Sequence, residues 1–268
     1  MIFSLFCYES QKNKYTNIKR WFVLRFKKTI FISLVVLVIF LTYLFFNDER
    51  INYVVLGDSL AQGVNPYGEV GYSYTDYISD YLKDNGKLKT FIKGYATSGY
   101  TTSDLLNDLR NNREIDVDGK HVNIRHALRE SDLVTISIGA NDFLKGINLN
   151  ALDLTNIDSY KKKIDNILDE IDIVLREVRK YAKGDVVVVG YYNPFNRLFP
   201  SYRSNLDEIF EYADIKYKEV CSNNSINYVS VYSLFKENSD FLPNPFDIHP
   251  NLKGYSAISR LIIDDYLS

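Results

Sequence analysis

Short apolar runs rich in β-branched residues alternate with longer amphipathic segments along most of this chain. Strands are predicted at residues 53–56, 90–95, 133–138, 185–190 and 226–231. Helices are predicted between and after them, at residues 72–82, 102–110, 157–183, 206–221 and 254–267. Strands separated by helices pair in parallel and carry the helices on both faces of the sheet. The predicted fold class is therefore α/β, with three α/β/α layers around a central parallel sheet.

The first part of the chain has a different composition. Residues 29–46 read TIFISLVVLVIFLTYLFF and contain no charge. A run of this length is about the minimum that spans the hydrocarbon core of a bilayer. A buried core helix is the alternative, but few soluble helices are apolar on every face. We therefore expect one N-terminal transmembrane helix at residues 29–46, ahead of the α/β domain.

The charges beside this segment predict its orientation. Only Glu9 is acidic ahead of it, against seven basic residues: Lys12, Lys14, Lys19, Arg20, Arg25, Lys27 and Lys28. A basic excess marks the cytoplasmic side, so the bulk of the chain is expected outside the cell. No small residues suited to a signal peptidase follow, since Leu44, Phe45 and Phe46 are bulky, which favours an uncleaved anchor over a signal peptide. The expected organisation is a cytoplasmic basic segment (1–28), an anchor (29–46) and one extracellular domain (47–268).

Composition excludes several other classes. The net charge is −2 and no basic patch lies beyond the membrane-proximal segment, so nucleic acid is not an expected partner. The three histidines, His121, His126 and His249, have no metal-ligand motif around them, and neither a metal nor a cofactor is expected. Cys7 and Cys221 flank the predicted membrane segment, so no internal disulfide is expected.

Four groups of chemically capable residues follow strands or lie in loops. Ser59 follows the first predicted strand, residues 98–102 follow the second and residues 139–142 follow the third. Asp247 and His249 lie in a proline-rich loop before the last helix. The carboxyl ends of parallel strands meet at one edge of a sheet, where ligands bind. We therefore expect the four groups to converge there.

Together these residues have the chemistry of an activated serine. Ser59 needs a base to become a nucleophile, and His249 is the histidine in a suitable position. Asp247 is of the type that orients such a ring and stabilises the imidazolium. The backbone N–H groups of Ser59 and Gly99 and the side-chain amide of Asn141 are suitable oxyanion donors.

Each of these features has an ordinary structural alternative. Gly-Asp-Ser is also a common helix N-cap, Gly-x-Asn-Asp is also a common turn from strand to helix, and a histidine before proline in a loop is often structural. The α/β-hydrolase nucleophile motif G-x-S-x-G is absent, because Ala61 replaces its second glycine. The order of the four groups at strand ends is more specific than any one of them.

These four blocks resemble those of the GDSL-type SGNH hydrolases, a family of esterases and lipases with a flavodoxin-like fold. The matching segments are residues 55–63, 96–102, 138–142 and 247–251, followed by Gly254 and Tyr255. The resemblance spans about residues 52–268 and implies Ser59 as nucleophile, Gly99 and Asn141 as oxyanion donors and His249 as base. Asp58 and Asp142 are expected to brace turns. The pattern is similar to that of membrane-anchored or secreted acylhydrolases of Gram-positive bacteria.

The last block departs from the family pattern, which spaces acid and histidine as Asp-x-x-His. Here Phe246 stands three residues before His249, and the acid stands two before it, at Asp247. Residues two apart in an extended loop point to the same side, so Asp247 is within reach of the ring. A backbone carbonyl is the alternative orienting group.

The prediction is therefore an extracytoplasmic serine esterase that cleaves carboxylic esters through an acyl-enzyme on Ser59. A small molecule, a lipid or an acylated glycan is the expected ester, and residues 63–74 and 191–195 are expected to line its pocket. A catalytically inactive surface-binding module and a glycan O-acyltransferase are the alternatives.

Overall fold

The computed structural model describes residue 21 and residues 25–42, 49–145 and 153–267. The chain separates into two compact units, Met1–Glu49 and Arg50–Ser268. In the first unit residues 25–42 are helical and exposed. No helix among the described residues is long and apolar enough to cross a membrane. Much of the predicted basic segment and residues 43–46 of the predicted anchor lie outside the described residues.

Five parallel strands form the central sheet of the second unit. Strands β1 (Ile51–Gly57) and β2 (Leu88–Ala96) are followed by a separate antiparallel hairpin, β3 (Glu114–Val117) and β4 (Lys120–Asn123). Strands β5 (Leu133–Ser137), β6 (Asp185–Val189) and β7 (Asn227–Val229) complete the sheet. The order across the sheet is β2-β1-β5-β6-β7, and each neighbouring pair is parallel. Leaving out the hairpin, this is the flavodoxin-like order.

Nine helices accompany these strands in the described part of the second unit. They are α1 (Ser59–Gln62), α2 (Tyr74–Asp84), α3 (Thr102–Asn111), α4 (Ile124–Arg129), α5 (Ala140–Leu144), α6 (Ile157–Arg179), α7 (Arg203–Asn223), α8 (Tyr232–Glu237) and α9 (Leu252–Tyr266). Two short 3-10 turns, Pro200–Tyr202 and Ser239–Phe241, precede α7 and follow α8.

Side chains that alternate along the strands pack against the two outer layers of helices. Val54 and Leu56 of β1 lie in one buried cluster with residues of α3, α4, α6 and α7. Tyr53 and Val55 lie in the other, with residues of α1, α2, α8 and α9. Successive side chains of a strand point to opposite faces, so a run of apolar residues fills both layers. The predicted three-layer α/β/α fold is confirmed.

The chain order reverses between β1 and β5. From β1 the chain passes to β2 on one side, and it later returns to β5 on the other side. Such a switch point opens a crevice beyond the carboxyl ends of the strands, which is where ligands bind in open α/β sheets. Ser59 and residues 139–142 follow the two strands that border this crevice.

Candidate active site

Ser59 is the first residue of α1, directly after the turn that ends β1. Asp58 caps the helix, since its carboxylate accepts a hydrogen bond of 3.1 Å from the backbone N–H of Leu60. Gly57 has φ +123°, and a Cβ there would lie 2.0 Å from the carbonyl oxygen of Ser137. The turn therefore requires glycine at this position, and it delivers Ser59 to the carboxyl edge of the sheet.

Asp58 is fully buried beneath this turn. The Ser137 hydroxyl donates to one carboxylate oxygen over 2.9 Å, and the Tyr191 hydroxyl donates to the other. Burial raises the pKa of Asp58 to about 6, despite these hydrogen bonds, which lower it. Asp58 thus links the ends of β1, β5 and β6, and both oxygens of its carboxylate accept hydrogen bonds from within the protein.

His249 lies between Ser59 and Asp247. Its Nε2 is 2.8 Å from Ser59 Oγ, and its Nδ1 is 2.8 Å from Asp247 Oδ1. The tautomer that carries its proton on Nδ1 satisfies both contacts, because Nδ1–H then donates to the carboxylate and Nε2 accepts from the serine hydroxyl. Asp247 therefore reaches the ring in spite of its unusual spacing. Its carboxylate, and not a backbone carbonyl, is the hydrogen-bond partner of His249 Nδ1.

The loop that carries Asp247 and His249 is held at several points. Tyr192 donates its hydroxyl hydrogen to the carbonyl oxygen of Ile248 over 2.6 Å. Asn244 donates from its amide to the carbonyl oxygen of Pro66 over 2.9 Å. Asn251 caps α9 by accepting from the N–H of Gly254 over 3.0 Å. These bonds fix the histidine from both of its flanks.

Two further loops bring the predicted oxyanion donors to the same edge. Gly99 is exposed after β2 with φ +83°, and a Cβ there would have no described heavy atom within 4 Å. Asn141 lies in α5, after β5, and its amide donates to the carbonyl oxygen of Tyr100 over 2.8 Å. An amide nitrogen carries two hydrogens, so this bond leaves one hydrogen for a ligand.

Asp142 ties these two loops together. Its carboxylate accepts hydrogen bonds from the backbone N–H and the hydroxyl of Thr102, over 3.0 and 2.8 Å. The same hydroxyl lies 2.7 Å from Glu170 of α6. Burial raises the pKa of Asp142, and the negative charge of Glu170 contributes to the increase. The contact fixes Asn141 relative to the Gly99 loop.

A cavity of about 110 Å³ opens beside Ser59 and His249. Four of the residues 191–195 line it (Tyr191, Tyr192, Pro194 and Phe195), as predicted. No residue of the predicted segment 63–74 lines it, because that segment folds back on itself through a bridge between Val64 and Val70. Most of the apolar lining comes instead from α5, α6 and α7. The sequence predicts a helix at residues 157–183 but does not assign it to the pocket.

The remaining histidines lie away from this edge. His121 is in the β3–β4 hairpin, 3.2 Å from Glu114, and His126 is in α4. In the described part of the chain, no group of three or more His, Cys, Asp or Glu side chains is arranged to hold a metal ion. Cys221 is buried with a free thiol, and Cys7 lies outside the described residues.

Comparison with known proteins gives a consistent set of similarities. The sequence model of the GDSL-like lipase/acylhydrolase family matches residues 55–257. The protein YpmR of Bacillus subtilis (strain 168) is 28% identical over 224 residues, which cover 80% of each chain.

Solved structures share the fold. The lipase Lip_vut3 from a goat rumen metagenome aligns with a TM-score of 0.63 at 22% identity, over 79% of this chain and 95% of its own. An extracellular lipase from Streptomyces rimosus gives 0.55 at 20% identity, over 78% and 97%. The acetylxylan esterase Axe2 from Geobacillus stearothermophilus gives 0.54 at 17% identity, over 79% and 92%.

Proposed function

The chain belongs to the GDSL-like lipase/acylhydrolase family and is a carboxylic-ester hydrolase, and from this premise we propose that it works through an acyl-enzyme on Ser59. The observation that carries the proposal is the continuous contact from Ser59 Oγ to His249 Nε2, and from His249 Nδ1 to Asp247 Oδ1, 2.8 Å at each step. A serine hydroxyl in contact with a neutral imidazole that is held by a carboxylate is the arrangement that activates serine.

In the first half-reaction, Ser59 Oγ attacks the ester carbonyl carbon while His249 Nε2 takes the hydroxyl proton. Negative charge develops on the carbonyl oxygen, for which the N–H groups of Ser59 and Gly99 and the Asn141 amide are the proposed donors. The tetrahedral intermediate then collapses, and the alcohol leaves with the proton from His249. In the second half-reaction His249 removes a proton from water, which attacks the acyl carbon. The bond from that carbon to Ser59 Oγ then breaks, His249 returns the proton to Ser59 Oγ, and the acid is released.

A Ser59→Ala variant of the full-length chain tests this mechanism. We expect hydrolysis of p-nitrophenyl esters to fall by roughly 10³-fold or more, with an unchanged Tm, because only the nucleophile is lost. Ser103→Ala is the matched control: Ser103 is exposed on α3 at the same edge of the sheet, and its loss is expected to leave turnover unchanged. A Ser59→Ala protein with wild-type turnover would contradict the mechanism.

The alternative of a catalytically inactive binding module draws on the unusual spacing of Asp247 and His249. The 2.8 Å contact between Asp247 Oδ1 and His249 Nδ1 favours the enzyme instead. A glycan O-acyltransferase would share the acyl-enzyme and differ in the acceptor. Product analysis with and without an acceptor sugar separates the two, and we expect the free acid to be the main product in both cases.

We also propose that residues 29–46 anchor the protein in the cell membrane, with the hydrolase unit outside. The proposal rests on the uncharged 18-residue run and on the basic excess that precedes it. The exposed apolar side chains of the helix over residues 25–42 are consistent with contact to lipid.

Fractionation of cells that express the full-length chain tests the anchor. The protein is expected in the membrane pellet after an alkaline carbonate wash, and protease added to intact cells is expected to digest the hydrolase unit. N-terminal sequencing should find the basic segment still attached. Recovery from the soluble fraction, or a mature chain that begins near residue 47, would contradict an uncleaved anchor.

A further inference from the structure

The cavity beside Ser59 and His249 extends between the sheet and two long helices. Its apolar walls come from three elements, with Phe143 on α5, Ile164, Ile167 and Ile171 on α6, and Ile209 and Phe210 on α7. Ile138 and Gly139, at the end of β5, form the side nearest the sheet. A substrate held at Ser59 therefore has an apolar recess directly beside its reacting carbon.

The hydroxyl groups that reach this cavity are already hydrogen-bonded within the protein. Tyr217 donates to the carbonyl oxygen of Ile138 over 3.0 Å, and Tyr228 donates to the carboxylate of Asp214 over 2.7 Å. Tyr191 donates to Asp58. These hydroxyls have no hydrogen left to donate, so a sugar or glycerol group in this cavity would find few donors to replace the water that it loses, which is costly. The cavity is therefore suited to a hydrocarbon chain.

We infer that this cavity binds the acyl chain of the substrate, and that the natural substrate class is esters of apolar acids with about four to six carbons. This rests on the proposed acyl-enzyme mechanism, in which the acyl group stays on Ser59 through both half-reactions. The leaving alcohol, in contrast, takes a proton from His249 and departs. A second recess, with exposed Phe246 at its rim, lies on the Asp247 side and adjoins the first cavity at Phe195 and Ile248, and we assign the alcohol to it.

The size of the cavity sets the expected chain length. An engineered cavity of about 150 Å³, lined by Leu, Ile and Phe side chains, binds benzene, which has six carbons. The cavity here has similar walls and is smaller, about 110 Å³, which corresponds to about four to six carbons. An acetyl group would leave most of it empty, and a long fatty acyl chain would extend beyond it.

The test measures kcat/KM of the full-length chain on p-nitrophenyl esters from acetyl to dodecanoyl. Each added methylene is expected to raise kcat/KM about fourfold until the chain reaches about four to six carbons. The factor corresponds to ~0.8 kcal/mol per buried methylene. Longer chains are expected to gain nothing more. A second series, acetate esters of alcohols of increasing length, is expected to show no such increase.

Substitutions on α6 locate the effect. Ile167 lines the cavity, so Ile167→Ala should move the optimum to longer chains and Ile167→Phe to shorter ones. Ile173 lies on the same helix, is 40% exposed and does not line the cavity, so Ile173→Ala and Ile173→Phe should keep the wild-type profile. Each of the two Ile167 substitutions tests the inference by itself. If Ile167→Phe folds poorly, the shift expected for Ile167→Ala still decides the outcome.

Three results would overturn the inference. They are acetyl esters as the best substrates, a rate that follows the alcohol length, or an optimum that no Ile167 variant moves. A different result would contradict the mechanism itself, namely ester hydrolysis that persists in Ser59→Ala. The two failures are therefore distinguishable in the same set of assays.

Discussion

Asp247 Oδ1 accepts two hydrogen bonds from His249, one from the ring Nδ1 and one from the backbone N–H, each 2.8 Å long. An aspartate that bonds the backbone N–H two residues further on forms an Asx turn, a stable local structure. The turn places the Asp247 carboxylate next to the imidazole of His249, the residue whose backbone N–H it also binds. A spacing of two residues therefore orients the ring here, where the family pattern uses three.

Asp247→Asn tests the orienting role of this carboxylate. The amide oxygen can keep both hydrogen bonds from His249, but it has no negative charge to stabilise the imidazolium that forms when His249 takes the Ser59 proton. We expect kcat to fall by roughly 10³-fold or more with the fold retained. Asp240→Asn is the control, because Asp240 is exposed in a nearby turn. Steady-state kinetics on one ester decide the matter, and a kcat close to that of the Asp240 variant would contradict the role.

Asn141→Ala tests the amide as an oxyanion donor. We expect kcat to fall by roughly 10²- to 10³-fold with little change in KM, because the donor acts mainly on the transition state. Asn238→Ala removes a similar amide bond, 2.9 Å to the carbonyl oxygen of Leu234, away from the site, and should leave kcat unchanged. Equal kinetics in both variants would exclude the amide from the reaction.

Alanine substitutions at Gly99 and Gly68 form a matched pair that tests the backbone N–H of Gly99 as an oxyanion donor. Their φ angles are +83° and +81°, and an added Cβ would meet no described heavy atom within 4 Å at either. Alanine at each should lower stability by ~1–2 kcal/mol through backbone strain alone. Only Gly99→Ala should also lower kcat, because strain there displaces the proposed N–H donor. Melting curves and kinetics on both variants check this, and equal activities would contradict the assignment.

The buried Asp58 should make stability depend on pH. Its pKa is about 6 in the folded protein, against an ordinary value of 3.8, so the folded state holds the proton more tightly than the unfolded state. The resulting stabilisation is full below about pH 4 and is lost as the pH rises through about 6. Asp58→Asn removes this titration, so the stability of the variant relative to wild type should rise between pH 4 and 7, by at most ~3 kcal/mol.

Unfolding of both proteins at several pH values measures this difference. The other groups titrate in both proteins, so the difference isolates Asp58. A difference that stays constant from pH 4 to pH 7 would show that Asp58 titrates as an ordinary carboxyl.

The sheet and its long helices could be predicted because their signals are strong. A buried parallel strand such as β6 has an almost uninterrupted apolar run, and α6 repeats apolar residues at helical spacing. The β3–β4 hairpin was missed, although Asp118 and Gly119, both with positive φ, form a typical hairpin turn. Its strands are four residues long, with the alternating apolar residues Ile115 and Val117 in β3 and only Val122 in β4, so the apolar pattern is too short to predict a strand.

The candidate site was predictable in its residues but not in its cavity. Ser59, Gly99, Asn141 and His249 could be found because each follows a strand or lies in the loop before the last helix. The apolar residues of α6 indicate which side of the helix is covered, yet their spacing does not reveal whether α7 fills the space opposite Ile167. That depends on the packing of two helices far apart in sequence, which no local pattern contains.

Labelling with a fluorophosphonate probe, followed by peptide mass spectrometry, tests the central claim most directly. The probe reacts with an activated serine and stays attached to it. The account predicts one adduct on the full-length chain, on the peptide that contains Ser59, which disappears in Ser59→Ala and is strongly reduced in His249→Ala. An unlabelled wild-type chain, or an adduct that persists in Ser59→Ala, would contradict it.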